Sequence, residues 1–135
     1  MPHFILEYSA NLEDDLDLDG LFNALHESAM ETGVFPLGGI RFRAVRCDDY
    51  LIADADPDNA FVHITAKIGR RRDPDVRQEV AEKIFNTLVE YLDTLYKARP
   101  LAVSFELTEL TPGLSFRKNN IHEKIKQKQG AQQSQ

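Results

Sequence analysis

The chain has 135 residues, 42% of them apolar and 28% charged, with a formal net charge of −6. This length bounds one domain with a core of its own, and the acidic balance excludes a diffuse basic surface for nucleic acid or anionic lipid. A single cysteine, Cys47, excludes an intrachain disulfide and a cysteine-rich metal site, and no apolar run reaches the length of a membrane span or a signal segment, so the expected compartment is the cytoplasm.

Met1-Pro2 opens the chain and runs into the alternating stretch Pro2 to Ser9, read as a strand with Phe4, Leu6 and Tyr8 on one face. A small second residue favours removal of the initiator methionine, which would leave Pro2 as a free secondary amine. Elsewhere in a chain proline has no ionisable nitrogen; at the terminus of a buried strand it becomes a rigidly held base. Acidic, turn-like residues 11–15 then supply negative charge to a helix N-terminus. Leu18, Leu21, Phe22, Leu25 and Ala29 form that helix's apolar stripe, and Gly33 closes it as a left-handed cap. The connector Phe35-Pro36-Leu37-Gly38-Gly39 leads into a second strand from Ile40 to Cys47.

The architecture then repeats. Ala60 to Ile68 is a β-branched strand, broken by Gly69-Arg70-Arg71-Arg72. Asp73 caps a second helix with Pro74 at its first position. Its buried stripe is Val76, Val80, Ile84, Leu88, Tyr91, Leu92 and Leu95, and Pro100 stops it. Leu101 to Leu110 is a fourth strand, residues 115–125 a short polar-apolar arm, and residues 127–135 a Gln-rich tail expected to be disordered. Each helix is long enough to cross back and join parallel strands. The expected fold is therefore α+β: two βαβ units forming a four-stranded mixed sheet with two helices on one face, in a single domain over residues 1–126. Two helices cover only one face, yet the strands carry apolar residues on both, Phe4 beside Ile5 and Val62 beside Phe61. That surplus predicts a homo-oligomer whose second sheet face packs on other subunits.

Arg41 and Arg43 lie two apart on the second strand and share a face, with Arg46 on the other. Planar guanidinium groups at that spacing suit carboxylate binding. The arginines at 70–72 enter a helix N-terminus, where backbone amides and the helix dipole favour anions; a solvated turn balanced by Asp73 and Asp75 accounts for at least one of them. His3, His26, His63 and His122 share no metal-ligand spacing, and the sequence contains no HExxH, GxSxG, phosphate loop or dinucleotide fingerprint. Cys47 reads as a packing residue and His63 as a hydrogen-bonded core or interface residue.

With Pro2, two βαβ units and strand-borne arginines in place, the chain resembles the tautomerase superfamily (a tautomerase/MIF-like fold), and within it the 5-carboxymethyl-2-hydroxymuconate isomerase family. The likeness is carried by Met-Pro-His-Phe-Ile, by the block from Gly33 to Arg41, by Ala60-Phe61-Val62-His63-Ile64-Thr65 with Lys67-Ile68-Gly69, and by Leu114-Ser115-Phe116 followed by Asn119-Asn120-Ile121-His122. The resemblance implies a homotrimer with active sites near subunit boundaries. It also implies a cofactor-free, metal-free ketonisation of a carboxylated dienol in homoprotocatechuate breakdown. Carried onto this sequence it makes Pro2 the catalytic base, with Arg41 and Arg72 binding the substrate's carboxylates. Relatives have small residues before that last arginine, whereas this chain has Arg70 and Arg71 as well, so any of the three could reach the substrate. A 4-oxalocrotonate-type or phenylpyruvate-type tautomerase, or a non-catalytic trimeric binding protein, would use the same fold.

Overall fold

A computed structural model describes residues 2–69 and 73–133. The element order is β1 (His3–Ser9), a 3-10 turn (Ala10–Leu12), α1 (Leu18–Glu31), β2 (Arg41–Cys47), β3 (Ala60–Ile68), α2 (Pro74–Tyr91), α3 (Asp93–Ala98), β4 (Leu101–Glu109) and α4 (Ile121–Gln133). The four strands form one sheet in the order β2-β1-β3-β4. β1 pairs parallel with β2, β3 pairs parallel with β4, and the two units meet antiparallel through β1 and β3. This is the expected double βαβ, and each parallel pair is the consequence of a helical crossover.

Period-2 alternation decides the core. Phe4, Leu6 and Tyr8 of β1 and Val62, Ile64, Ala66 and Ile68 of β3 are buried, together with Leu21, Leu25 and Ala29 of α1 and Val80, Ile84 and Leu88 of α2. The helices pack side by side over that one face. Asp17 caps α1 by accepting from the Gly20 amide at 3.1 Å. Asp73 caps α2 by accepting from Asp75 N at 2.9 Å, with Pro74 in the first turn as expected.

The second helix does not run unbroken to Pro100. It stops at Tyr91, and Leu92 takes φ −88°, ψ 5° before α3 begins. The break lets Leu92 stay buried while Tyr91, expected in the apolar stripe, turns outward and hydrogen-bonds Asp17. A second difference lies at the C-terminus, where residues 127–133 continue α4 rather than a disordered tail. Lys, Gln, Glu and Ala are good helix formers, and Asn119 Oδ1 caps the helix by accepting from Ile121 N at 2.8 Å.

Neither α1 nor α2 covers the opposite sheet face. Its rows, read across β2-β1-β3-β4, are Arg41-His3-Lys67-Thr108, Arg43-Ile5-Thr65-Glu106 and Val45-Glu7-His63-Ser104. His63 bonds Ser104 Oγ there at 2.6 Å. Ile5 and Phe61 are half-buried and Val45 is exposed, so the face mixes apolar residues with charges of both signs. Among the described residues, no helix is long and apolar enough to cross a membrane.

Candidate active site

Pro2 is buried at the start of the inner strand β1, although it stands next to the chain terminus. Two features hold it. Its carbonyl accepts from the Arg41 amide at 3.3 Å, an extension of the β1–β2 ladder. Two residues on, Phe4 stacks on Phe42 with centroids 4.6 Å apart and meets Phe35 edge-on at 5.8 Å. Phe22 and His26 of α1 close around Phe42. The aromatic cluster fixes the strand end, and the parallel register puts Arg41 directly opposite His3.

The antiparallel β1–β3 register brings a third chain segment to the same end. Lys67 lies opposite His3, and Gly69 leaves the sheet there. Arg72, the third expected site residue, lies outside the described residues, as do Arg70 and Arg71. The structure thus brings Pro2 and Arg41 together. Arg43 shares the open face with Arg41, as its spacing predicts, whereas Arg46 turns to the other face and pairs with Asp48 at 2.9 Å and Glu13 at 3.8 Å, near the far end of the sheet.

His3 was given no role by its sequence context. Its Nδ1 lies 3.3 Å from Arg43 Nη1. A guanidinium only donates, so Nδ1 is the acceptor and the neutral ring carries its proton on Nε2. Partial burial, then the charges of Arg41 and Arg43, push the imidazole below its usual range. His3 is therefore a neutral hydrogen-bond donor within a cationic corner. Only the strand register could reveal this, because residues 3 and 43 are unrelated in sequence.

The glycine connector is also part of this end. Asn119 Nδ2 donates to the Gly38 carbonyl at 2.8 Å, and the His122 ring lies on Gly38 and Gly39. A Cβ at Gly38 would meet His122 Nδ1 at 2.5 Å, so this contact requires glycine. Two sequence blocks some eighty residues apart thus form one wall. Two clefts, of about 720 and 470 Å³, lie at the far end, lined respectively by residues such as Asp17, Tyr91 and Arg99 and by the loop from Asp48 to Pro57. Neither touches Pro2. Among the described residues, no group of three or more His, Cys, Asp or Glu could hold a metal ion.

A family model described as 5-carboxymethyl-2-hydroxymuconate isomerase matches residues 2–125. A 5-carboxymethyl-2-hydroxymuconate Delta-isomerase of Escherichia coli is 43% identical over 122 residues, covering 90% of this chain and 97% of the relative. The crystal structure of a 5-carboxymethyl-2-hydroxymuconate isomerase from Deinococcus radiodurans R1 superposes with a TM-score of 0.86 at 34% identity, covering 92% of this chain and 93% of the other. At 16% identity, a fused 4-OT symmetric trimer shares the fold alone, with a TM-score of 0.58 over 86% of this chain and 93% of its own.

Proposed function

The chain belongs to the 5-carboxymethyl-2-hydroxymuconate isomerase family of the tautomerase superfamily, and from that premise we propose that it ketonises a carboxylated 2-hydroxymuconate-type dienol with Pro2 as its base. The reading places the protein in cytoplasmic homoprotocatechuate breakdown. In the reaction, the neutral Pro2 nitrogen takes the proton of the 2-hydroxyl. The electron pair moves through the conjugated carbons, and the same nitrogen returns the proton at the distant carbon. One base with access to both positions is enough, so the step consumes no cofactor.

The observation that supports this most is the buried Pro2 whose carbonyl is bonded to the Arg41 amide. An α-amine ordinarily titrates near about 8, and a secondary amine is more basic still. In this reading, burial next to Phe4 and the positive charge of Arg41 would disfavour its charged form and hold it ready to accept. Arg41 and Arg72 would grip the carboxylates and stabilise the charge on the dienolate oxygen. The half-exposed sheet face, with Ile5, Phe61 and Val45, supports a homotrimer in which sites lie near subunit boundaries.

The test is loss of dienol absorbance with purified wild-type protein, Pro2→Ala and Arg41→Ala, using tricarboxylated and monocarboxylated enols. Preference for the tricarboxylated dienol and a large loss in both variants are expected. Full activity in both variants would sink the assignment.

A further inference from the structure

Arg43 has a choice of neighbours on the open sheet face. Its register partner on β1 is Ile5. His3 lies two residues before Ile5, on the Pro2 side, and Glu7 lies two residues after it. Both share the face of Arg43, each about 7 Å along the strand from its row. A carboxylate is the ordinary partner of a guanidinium. Arg43 nevertheless meets His3, with Nη1 3.3 Å from Nδ1. Among the described residues neither Glu7 nor Glu106, the β4 member of its row, pairs with it.

This contact has two consequences. It ties the guanidinium to the residue that directly follows Pro2, so Arg43 joins Arg41 at the Pro2 end. It also leaves the charge of Arg43 uncompensated, because a neutral imidazole accepts one hydrogen bond and most of the guanidinium donors stay unused. The planar fork is thus fixed in place but still able to take a carboxylate. Lys67, opposite His3, has no such side-chain anchor among the described residues. The tricarboxylated dienol brings one anion more than Arg41 and Arg72 account for.

We propose that Arg43 is the specificity-determining residue for the third carboxylate, that of the carboxymethyl arm, and that His3 is the positioning residue that aims it. This rests on the proposed isomerase reading. Arg41 and Arg72 recognise what all dienols of the class share, and Arg43 recognises the arm that distinguishes the tricarboxylated one.

The test compares kcat/KM for 5-carboxymethyl-2-hydroxymuconate with that for 2-hydroxymuconate, the same dienol without the arm. Arg43→Gln should lower the ratio of the two about tenfold or more, the fold-change carried by one charged hydrogen bond, mainly through KM for the tricarboxylated dienol. His3→Ala should lower the same ratio, and His3→Asn, whose Oδ1 can accept in place of Nδ1, should restore most of it. An unchanged ratio in Arg43→Gln overturns the proposal and leaves the Pro2 reading intact. So does an equal loss on both dienols together with a changed oligomeric mass, which would make Arg43 an ion-pair partner of a second copy. Equal losses in His3→Ala and His3→Asn overturn the aiming role. A wild-type chain inactive on both dienols overturns the isomerase reading itself, and this proposal with it.

Discussion

The two ends of the sheet are built from the same four strands and differ in almost everything else. The far end is knitted by polar contacts. Ser9 Oγ accepts from the Phe61 amide and donates to Asn11, Asn11 Nδ2 donates to the Asn59 carbonyl, and Arg99 donates to the carbonyls of Asn11 and Asp58. It is also acidic, with Asp14, Asp15, Asp17, Asp48, Asp49 and Asp58 in its loops. The Pro2 end gathers cations instead: Arg41, Arg43 and Lys67 share one face of the sheet. In a chain of net charge −6 these cations form a local cluster on one sheet face, which would attract a polyanion. Hydrogen bonds close the far end, and the proposed reaction uses the other.

This contrast can be broken from either side. The largest expected effect comes from one extra alanine ahead of Pro2, which moves the free amine off the proline. Loss of the general base should lower kcat by about 10²–10⁴-fold, read by absorbance, with the thermal midpoint unchanged. Next, Arg41→Ala should lower kcat/KM by about 10²–10³-fold, as for removal of an oxyanion-stabilising group. At the far end the pattern should invert. Arg99→Ala leaves two carbonyls without their donor and should cost about 1–3 kcal/mol of stability in urea unfolding, while kcat stays at the wild-type value.

His3 links the two kinds of effect. Its imidazole is held below the ordinary value of 6.5 in the folded chain. The unfolded chain therefore binds that proton more readily, and the site's contribution to stability is complete above about pH 6.5 and falls as the pH drops below it. Urea midpoints measured between about pH 7.5 and about pH 5.5 should fall less in His3→Gln than in the wild type. The smallest effect belongs to the far-end loop, where Ala55 stands at φ +66°. Ala55→Gly relieves that left-handed strain, offset by added freedom in the unfolded chain, and should raise stability by less than about 1 kcal/mol.

The strands and their pairing were legible because alternation and crossover length are local properties. Phe4, Leu6 and Tyr8 announce the buried face of β1, and helices of sufficient length force β1–β2 and β3–β4 to be parallel. The shared face of Arg41 and Arg43 follows from the same period. What stayed hidden depends on distant segments meeting. The His3–Arg43 contact needs the register, and the seating of His122 on Gly38 needs the segment after β4 to reach the β2 edge. The break at Leu92 was hidden for another reason: Leu92 and Leu95 continue a helical stripe, so periodicity alone does not show where the axis bends. In residues 127–133, composition suggested disorder, but helix propensity and the Asn119 cap prevail.

The central claim is that a neutral secondary amine at Pro2, fixed beside Arg41, carries the proton. Its most direct test is a nitrogen NMR titration of protein labelled with 15N-proline, set beside the pH profile of kcat/KM. The account predicts that Pro2 titrates below the ordinary terminal-amine value of about 8 and that the acidic limb of the profile follows it. A proline nitrogen that does not titrate, or one that titrates higher with no matching limb, would contradict it.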